Sequence, residues 1–119
     1  MAVTGIGGFF FRARDPEALS KWYATHLGVG AGDYGAWETR AGTSVFSPFK
    51  ADTDYFSADK QWMLNLRVSD LDSLLEQLNA AGIDIETRPE WNDPATGQFA
   101  RIHDPEGNAI ELWEPPAAA

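Results

Sequence analysis

The alternation of apolar and polar residues predicts a strand followed by a helix near the start of the chain. Residues 8–13 alternate with the period of two that is typical of a β-strand. The next apolar and aromatic residues recur with the spacing of one helical face. They are Leu19, Trp22, Tyr23, His26 and Leu27. Asp15 can cap this helix, Pro16 fits its first position, and Gly28 suits the left-handed residue that ends it.

The same order of features returns in the second half of the chain. Asp70 follows Asp15 at a distance of 55 residues, and both close an Arg-x-x-Asp pattern. Residues 62–68 alternate as a strand does, Asp70 can cap the next helix, and Gly82 can end it. The apolar stripe of this helix consists of Leu71, Leu74, Leu75 and Leu78. The repeat therefore predicts two similar structural units.

Each helix is followed by segments with strand-like patterns. They are a short strand near Val29, 34–39 and 43–47 in the first unit, and 83–86, 98–102 and 109–113 in the second. The last two are joined by Asp-Pro-Glu-Gly-Asn at 104–108, which has Pro early and Gly late, as a hairpin turn does.

The predicted architecture is a single α+β domain made of two βαβββ modules, each a four-stranded sheet with one helix on one face. Its predicted parts are a first module at 5–48, a linker at 49–60, a second module at 61–115 and a loose tail at 116–119. The linker prediction rests on a polar segment without a period.

Composition narrows the class of protein. The chain has 119 residues, enough for one domain, and no cysteine, which excludes disulfides and thiolate sites. Its net charge of −9 argues against nucleic acid and anionic membranes as partners. Without an apolar span or a signal-peptide pattern at its start, we expect a cytoplasmic protein. Five Trp, three Tyr and seven Phe are too many for the surface, so they fill a core, a cavity or an interface.

The repeat and the closing segment at 99–115, with its Asp-Pro-Glu-Gly-Asn-Ala-Ile-Glu-Leu motif, resemble the vicinal oxygen chelate superfamily. That superfamily contains glyoxalase I enzymes, bleomycin-resistance and fosfomycin-resistance proteins, and extradiol dioxygenases. The resemblance covers residues 5–115 and implies that the two sheets curl into one eight-stranded cleft. Metal-dependent members place one ligand from each of four strands in that cleft.

The resemblance carries those four ligand positions to Gly8, Ser44, Met63 and Glu111. Glu111 is the one good ligand among them for a catalytic divalent metal, because glycine offers no side chain, serine a poor one, and a thioether prefers soft ions. We therefore expect no family-type metal, and Glu111 as its ligand if one is bound.

Glu111 and His103 are the candidate catalytic residues. Glu111 alternates with Ile110 and Leu112, so it faces away from the helix, where an aromatic surrounding can raise a carboxyl pKa and make a general base. It can equally pair with a cationic ligand or with Arg101. His103 precedes the hairpin turn at a strand end, where either a catalytic or a turn-flanking role fits.

The same parity predicts an apolar pocket with a few polar groups, as small-molecule sites have. Its predicted ligand-binding residues are Phe10, Trp37, Phe46, Met63, Asn65, Trp91, Arg101 and Trp113. The alternative is that these side chains fill the space themselves or pack a dimer.

Three hypotheses follow. The first is a metal-independent protein, similar to the bleomycin-resistance branch, that captures a small organic molecule, such as a cationic aromatic drug, in an aromatic, acidic cleft. The second is a divalent-metal-dependent lyase or dioxygenase, with a metal-free enzyme using Glu111 or His103 as a variant. The third is an interaction module with a filled cleft. A homodimer fits all three, because association buries sheet edges.

Overall fold

The computed structural model describes residues 2–117, so Met1 and the last two residues of the predicted tail lie outside it. The elements in chain order are α1 (Pro16–Leu27), a 3-10 turn (Asp33–Gly35), β1 (Leu64–Arg67), α2 (Leu71–Ala80), a second 3-10 turn (Pro89–Trp91), β2 (Gln98–His103) and β3 (Ala109–Glu114). Neither helix is long and apolar enough to cross a membrane.

Both helices begin as their capping residues predict. The Asp15 carboxylate accepts the backbone N–H of Ala18 at 3.1 Å, and the Asp70 carboxylate accepts that of Ser73 at 3.2 Å. Pro16 occupies the first position of α1, and Gly28 ends that helix in the left-handed conformation at φ +67°. Each cap satisfies a backbone donor that the first turn of a helix leaves free.

The three strands form one sheet in the order β1-β3-β2. Strand β3 is central and pairs in parallel with β1 and antiparallel with β2. The predicted strand at 83–86 is reduced to a single antiparallel bridge between Glu86 and Arg101 beyond β2. The second half of the chain therefore places four segments side by side, with a helix on one face.

The core lies between this sheet and the two helices. The side chains of Ile102, Ile110 and Leu112 are fully buried, and they point to the helical face of the sheet. Leu19 and Tyr23 of α1, and Leu71 and Leu78 of α2, pack in the same cluster. The alternation that predicted these strands is confirmed, because Ile110 and Leu112 face the core and Glu111 between them does not.

The first half of the chain departs from the prediction. Residues 8–13, 34–39 and 43–47 form no strand in the described chain, and Tyr34 lies within a 3-10 turn. Phe9 and Phe11 pack on Trp62, with ring centroids 4.8 and 5.2 Å apart, but no backbone ladder forms there. The eight-stranded cleft is thus not confirmed.

A buried carboxylate joins the Asp-Pro-Glu-Gly-Asn turn to α1. Asp104 accepts the hydroxyl of Tyr23 at 2.7 Å and the side-chain amide of Asn108 at 2.8 Å. Its other oxygen accepts the backbone N–H groups of Glu106 at 2.9 Å and Asn108 at 3.1 Å. Burial and the Asp104 carboxylate together raise the pKa of Tyr23. Asp104 and Asn108, the first and last residues of this turn, therefore stabilise the fold.

Candidate functional site

The sheet face opposite the helices carries the polar residues that the sequence assigned to a site. Register places Asn65, Glu111 and Arg101 side by side on β1, β3 and β2. We call this line the polar row. Two residues along each strand, Arg67, Trp113 and Phe99 form a second line across the same face. The strand parity that predicted this shared face is correct.

Glu111, at the centre of the polar row, is held by two neutral donors. The Tyr55 hydroxyl donates to one of its oxygens at 2.5 Å, and the Asn65 side-chain amide donates to the other at 2.8 Å. Burial, reinforced by this hydrogen bond and by the nearby Glu111 charge, raises the pKa of Tyr55 to about 12. The phenol is therefore kept protonated beside the carboxylate.

Arg101 lies under two aromatic rings. Its guanidinium carbon is 4.4 Å from the centroid of Tyr55 and 5.2 Å from that of Trp91, both within cation–π range. Its nearest carboxylate is Glu86, at 3.8 Å, and not Glu111. Its Nε and Nη2 are buried, and no residue in 2–117 accepts a hydrogen bond from either. The Glu111–Arg101 ion pair that the sequence offered is thus replaced by separate partners.

Tyr55 was missed by the sequence analysis, which placed it in the linker. The segment at 49–60 contains no helix or strand, and its backbone hydrogen bonds are local, from Thr53 to Lys50 and from Lys60 to Ser57. Phe49 packs on Tyr55 with centroids 5.8 Å apart. Because the segment has no periodic pattern, no sequence signal pointed to a tyrosine lying on the sheet.

The remaining candidates divide into those near the polar row and those away from it. Met63 is partly buried immediately before β1, and Trp113 stacks on Phe99 while its indole N–H donates to the Thr96 carbonyl at 2.8 Å. His103 is exposed at the end of β2, where it pairs with Ala109. The catalytic role of either Glu111 or His103 stays a prediction.

Three predicted ligand-binding residues are not brought to the polar row. Phe10 and Phe46 are 94% and 90% exposed, and Trp37 is 49% exposed. All three lie in segments without strand pairing, so the strand parity that pointed Phe10 and Phe46 to the cleft does not apply in this structure. Their place in the binding site therefore stays a prediction.

The residues present do not fit the divalent metal of the family enzymes. Within 2–117, no group of three His, Asp or Glu side chains lies close enough to hold an ion. Both Glu111 oxygens already accept hydrogen bonds, and the positions aligned with the other ligands are Gly8, Ser44 and Met63. A lone carboxylate is too few ligands for a catalytic centre.

Two recesses lie elsewhere on the surface. One of about 410 Å³ is lined by the turn at 92–98 and the segment 114–117, and one of about 420 Å³ lies between α1 and Pro105–Glu106. Neither includes a residue of the polar row. The polar row is instead covered by aromatic rings. Its polar groups and the two open recesses therefore lie at different places on the surface in this conformation.

Alkaline pH tests the contact between Tyr55 and Glu111. Since the pKa of Tyr55 is raised from its ordinary value of 10.0 to about 12, the folded state favours the protonated phenol. Its contribution to stability is complete below pH 10 and is lost as the pH rises towards 12. We expect the urea midpoint of Tyr55→Phe to fall less between pH 10 and 12 than that of the wild type. Tyr34→Phe, which changes a fully exposed ring, should follow the wild type; equal slopes for all three proteins would contradict the contact.

Comparison with known proteins gives a family and a fold. The family model of a glyoxalase-like domain matches residues 8–113. The crystal structure of TnmS3, an antibiotic-binding protein from Streptomyces sp. CB03234, is similar over 97% of this chain and 98% of that one, with a TM-score of 0.59 and 22% identity. A glyoxalase/bleomycin resistance protein from the same strain is 30% identical over 43% of this chain and 42% of that one, with a TM-score of 0.34. No curated protein matches the chain.

Proposed function

Because this chain belongs to the glyoxalase-like domain family of the vicinal oxygen chelate superfamily, we propose that it binds a small organic molecule on the polar row, without the family's metal. The observation that carries the proposal is the arrangement of Asn65, Glu111 and Arg101 beneath Tyr55 and Trp91. An aromatic wall with a few oriented polar groups is the usual composition of a small-molecule site.

Two further observations support binding as the activity. The donor set does not suit a catalytic metal, which supports ligand binding over the metal-dependent chemistry of the superfamily's lyases and dioxygenases. The fold is also that of TnmS3, an antibiotic-binding protein. We therefore place this chain with the members that capture ligands. Arg101, beside Glu111 in the polar row, disfavours the cationic drug that the net charge suggested.

Tryptophan fluorescence tests this function. A ligand that stacks over Arg101 should contact Trp91, because that ring lies 5.2 Å from the guanidinium. We expect some planar organic molecules that do not absorb at the excitation wavelength, such as brominated aromatics, to quench the fluorescence of the wild type. Most of this quenching should be lost in Trp91→Phe. Trp22→Phe is the matched control, since Trp22 packs on the core side of α1. A panel that quenches neither the wild type nor the control, or all three proteins alike, would remove the proposal.

We propose in addition that the protein is a cytoplasmic homodimer. Its exposed large apolar side chains, from Val3 to Phe49, belong to the first half of the chain, and β1 has an open edge. A second copy that covers this surface would bury it and could complete the pairing of segments 8–13 and 43–47. Large exposed apolar side chains support an interface where they lie together on one surface.

Sedimentation velocity checks the homodimer. A glutamate at a buried contact is expected to weaken association at least about tenfold, as interface hot spots do. We expect Phe46→Glu to shift the wild-type dimer to monomer, and Asn79→Glu, on the exposed side of α2, to leave it unchanged. A wild-type monomer at all concentrations would contradict the dimer.

A further inference from the structure

The position of Tyr55 indicates which class of ligand binds to the polar row. A side chain from a segment without regular structure reaches the centre of the sheet, where its hydroxyl meets Glu111 and its ring covers Arg101. The contacts it makes are those of a bound aromatic molecule. We propose that Tyr55 stands in for the ligand, and that the polar row takes a neutral hydroxylated aromatic ring, a phenol, which replaces Tyr55. This inference rests on the proposed function and names its ligand class.

Glu111 favours a ligand that carries a hydroxyl group. Asn65 occupies one carboxylate oxygen, so the other is free for one more donor once Tyr55 leaves. A hydrogen bond to a charged group is stronger than one between neutral groups, and leaving the carboxylate without its donor has a cost. A ring without a hydroxyl would leave that oxygen unpaired, so it would bind less well than a phenol.

Arg101 favours a ligand with an aromatic ring and no positive charge. The guanidinium lies beneath the ring at 4.4 Å, where it attracts an electron-rich aromatic face and repels a cation. The guanidinium is largely buried, with a side-chain exposure of 12%, so this preference is little screened by water. Its unpartnered Nε and Nη2 are N–H donors that an oxygen substituent of the ligand would satisfy by accepting.

The segment 49–60 is attached to the rest of the molecule in a way that lets a ligand replace the Tyr55 side chain. The backbone hydrogen bonds of 49–60 close turns within the segment itself. Its links to the rest of the molecule are side-chain contacts, among them Tyr55 with Trp91 at 6.2 Å and the Lys60 ammonium with the Glu106 carbonyl at 3.3 Å. A ligand that reproduces the Tyr55 contacts can therefore displace the ring without breaking the sheet.

The test removes Tyr55 and returns its side chain as a free molecule. In Tyr55→Ala, p-cresol has the ring and hydroxyl that the site has lost, and toluene has the ring alone. Binding is followed by amide chemical shifts of Glu111 and Arg101 in a ¹⁵N-labelled protein. We expect Tyr55→Ala to bind p-cresol at least about tenfold more tightly than toluene, and about tenfold more tightly than the wild type does. Tyr34→Ala, which removes a fully exposed ring, should match the wild type.

Further variants locate the contact. In Tyr55→Ala combined with Glu111→Ala, the preference for p-cresol over toluene should fall to about onefold, because its acceptor is gone. Should Tyr55→Ala unfold, Tyr55→Leu with the same two ligands takes its place. Equal binding of p-cresol and toluene would overturn the phenol inference while leaving the polar row as an aromatic site. No binding of either to a folded variant would also overturn it, and the Trp91 quenching experiment would then decide the proposed function separately.

Discussion

Gly97→Ala is expected to lower the free energy of unfolding by about 3–4 kcal/mol, because two effects act at one residue. Gly97 has φ +111°, a conformation that side-chain-bearing residues rarely adopt. A Cβ built on it would lie 2.2 Å from the carbonyl oxygen of Glu114 and 3.0 Å from the indole nitrogen of Trp113. The first of these is backbone at the end of β3, so it cannot rotate away.

Gly107→Ala is the matched control for this substitution. Gly107 has a positive φ of +81°, but a Cβ there would meet nothing within 4 Å. We expect a loss of only about 1 kcal/mol, the cost of the left-handed conformation alone. Urea unfolding of both variants separates the steric effect from the conformational one. Losses of equal size would show that the approach of Gly97 to Glu114 is not as close as described.

Asp104→Ala is expected to lower the free energy of unfolding by about 3 kcal/mol. The substitution strands two buried side-chain donors, on Tyr23 and Asn108, and two backbone donors in the turn. Asp104 is 4% exposed, so water cannot replace the lost acceptors without opening the turn. The contact between α1 and the hairpin is lost with it.

A neighbouring turn offers the control for Asp104. The Asp93 carboxylate accepts the backbone N–H of Ala95 at 2.7 Å in an exposed turn, and we expect Asp93→Ala to cost under about 1 kcal/mol. Tyr23→Phe should account for about 1 kcal/mol of the Asp104 effect, measured in a double-mutant cycle by urea unfolding. An Asp104→Ala protein as stable as Asp93→Ala would contradict the structural role of the motif.

Local pattern predicted the two helices and the β2–β3 hairpin well, because these elements make their defining contacts locally. The caps at Asp15 and Asp70 act within four residues, and the hairpin between β2 and β3 is closed by its own turn. The alternation around Glu111 correctly separated core from site, since a strand has only two faces. These signals need no knowledge of distant residues.

The first half was predicted less well because strands need partners that a local pattern does not supply. Residues 8–13 have the right alternation, yet form no strand in the isolated chain. The Arg67 guanidinium donates to the carbonyls of Arg40 and Thr43, both at 2.6 Å, and these contacts span 27 and 24 residues of sequence. Tyr55 shows the same limit, because its contact with Glu111 spans 56 residues of sequence.

A map of where small molecules bind is the most direct test of the polar row as the binding site. A ¹⁵N-labelled sample is titrated with a mixture of neutral aromatic fragments, and the shifts of assigned backbone and indole signals are recorded. We expect the largest shifts to fall on Asn65, Arg101, Glu111 and the Trp91 indole. Shifts confined to the recess between α1 and Glu106, or to the turn at 92–98, would contradict a binding site on the polar row.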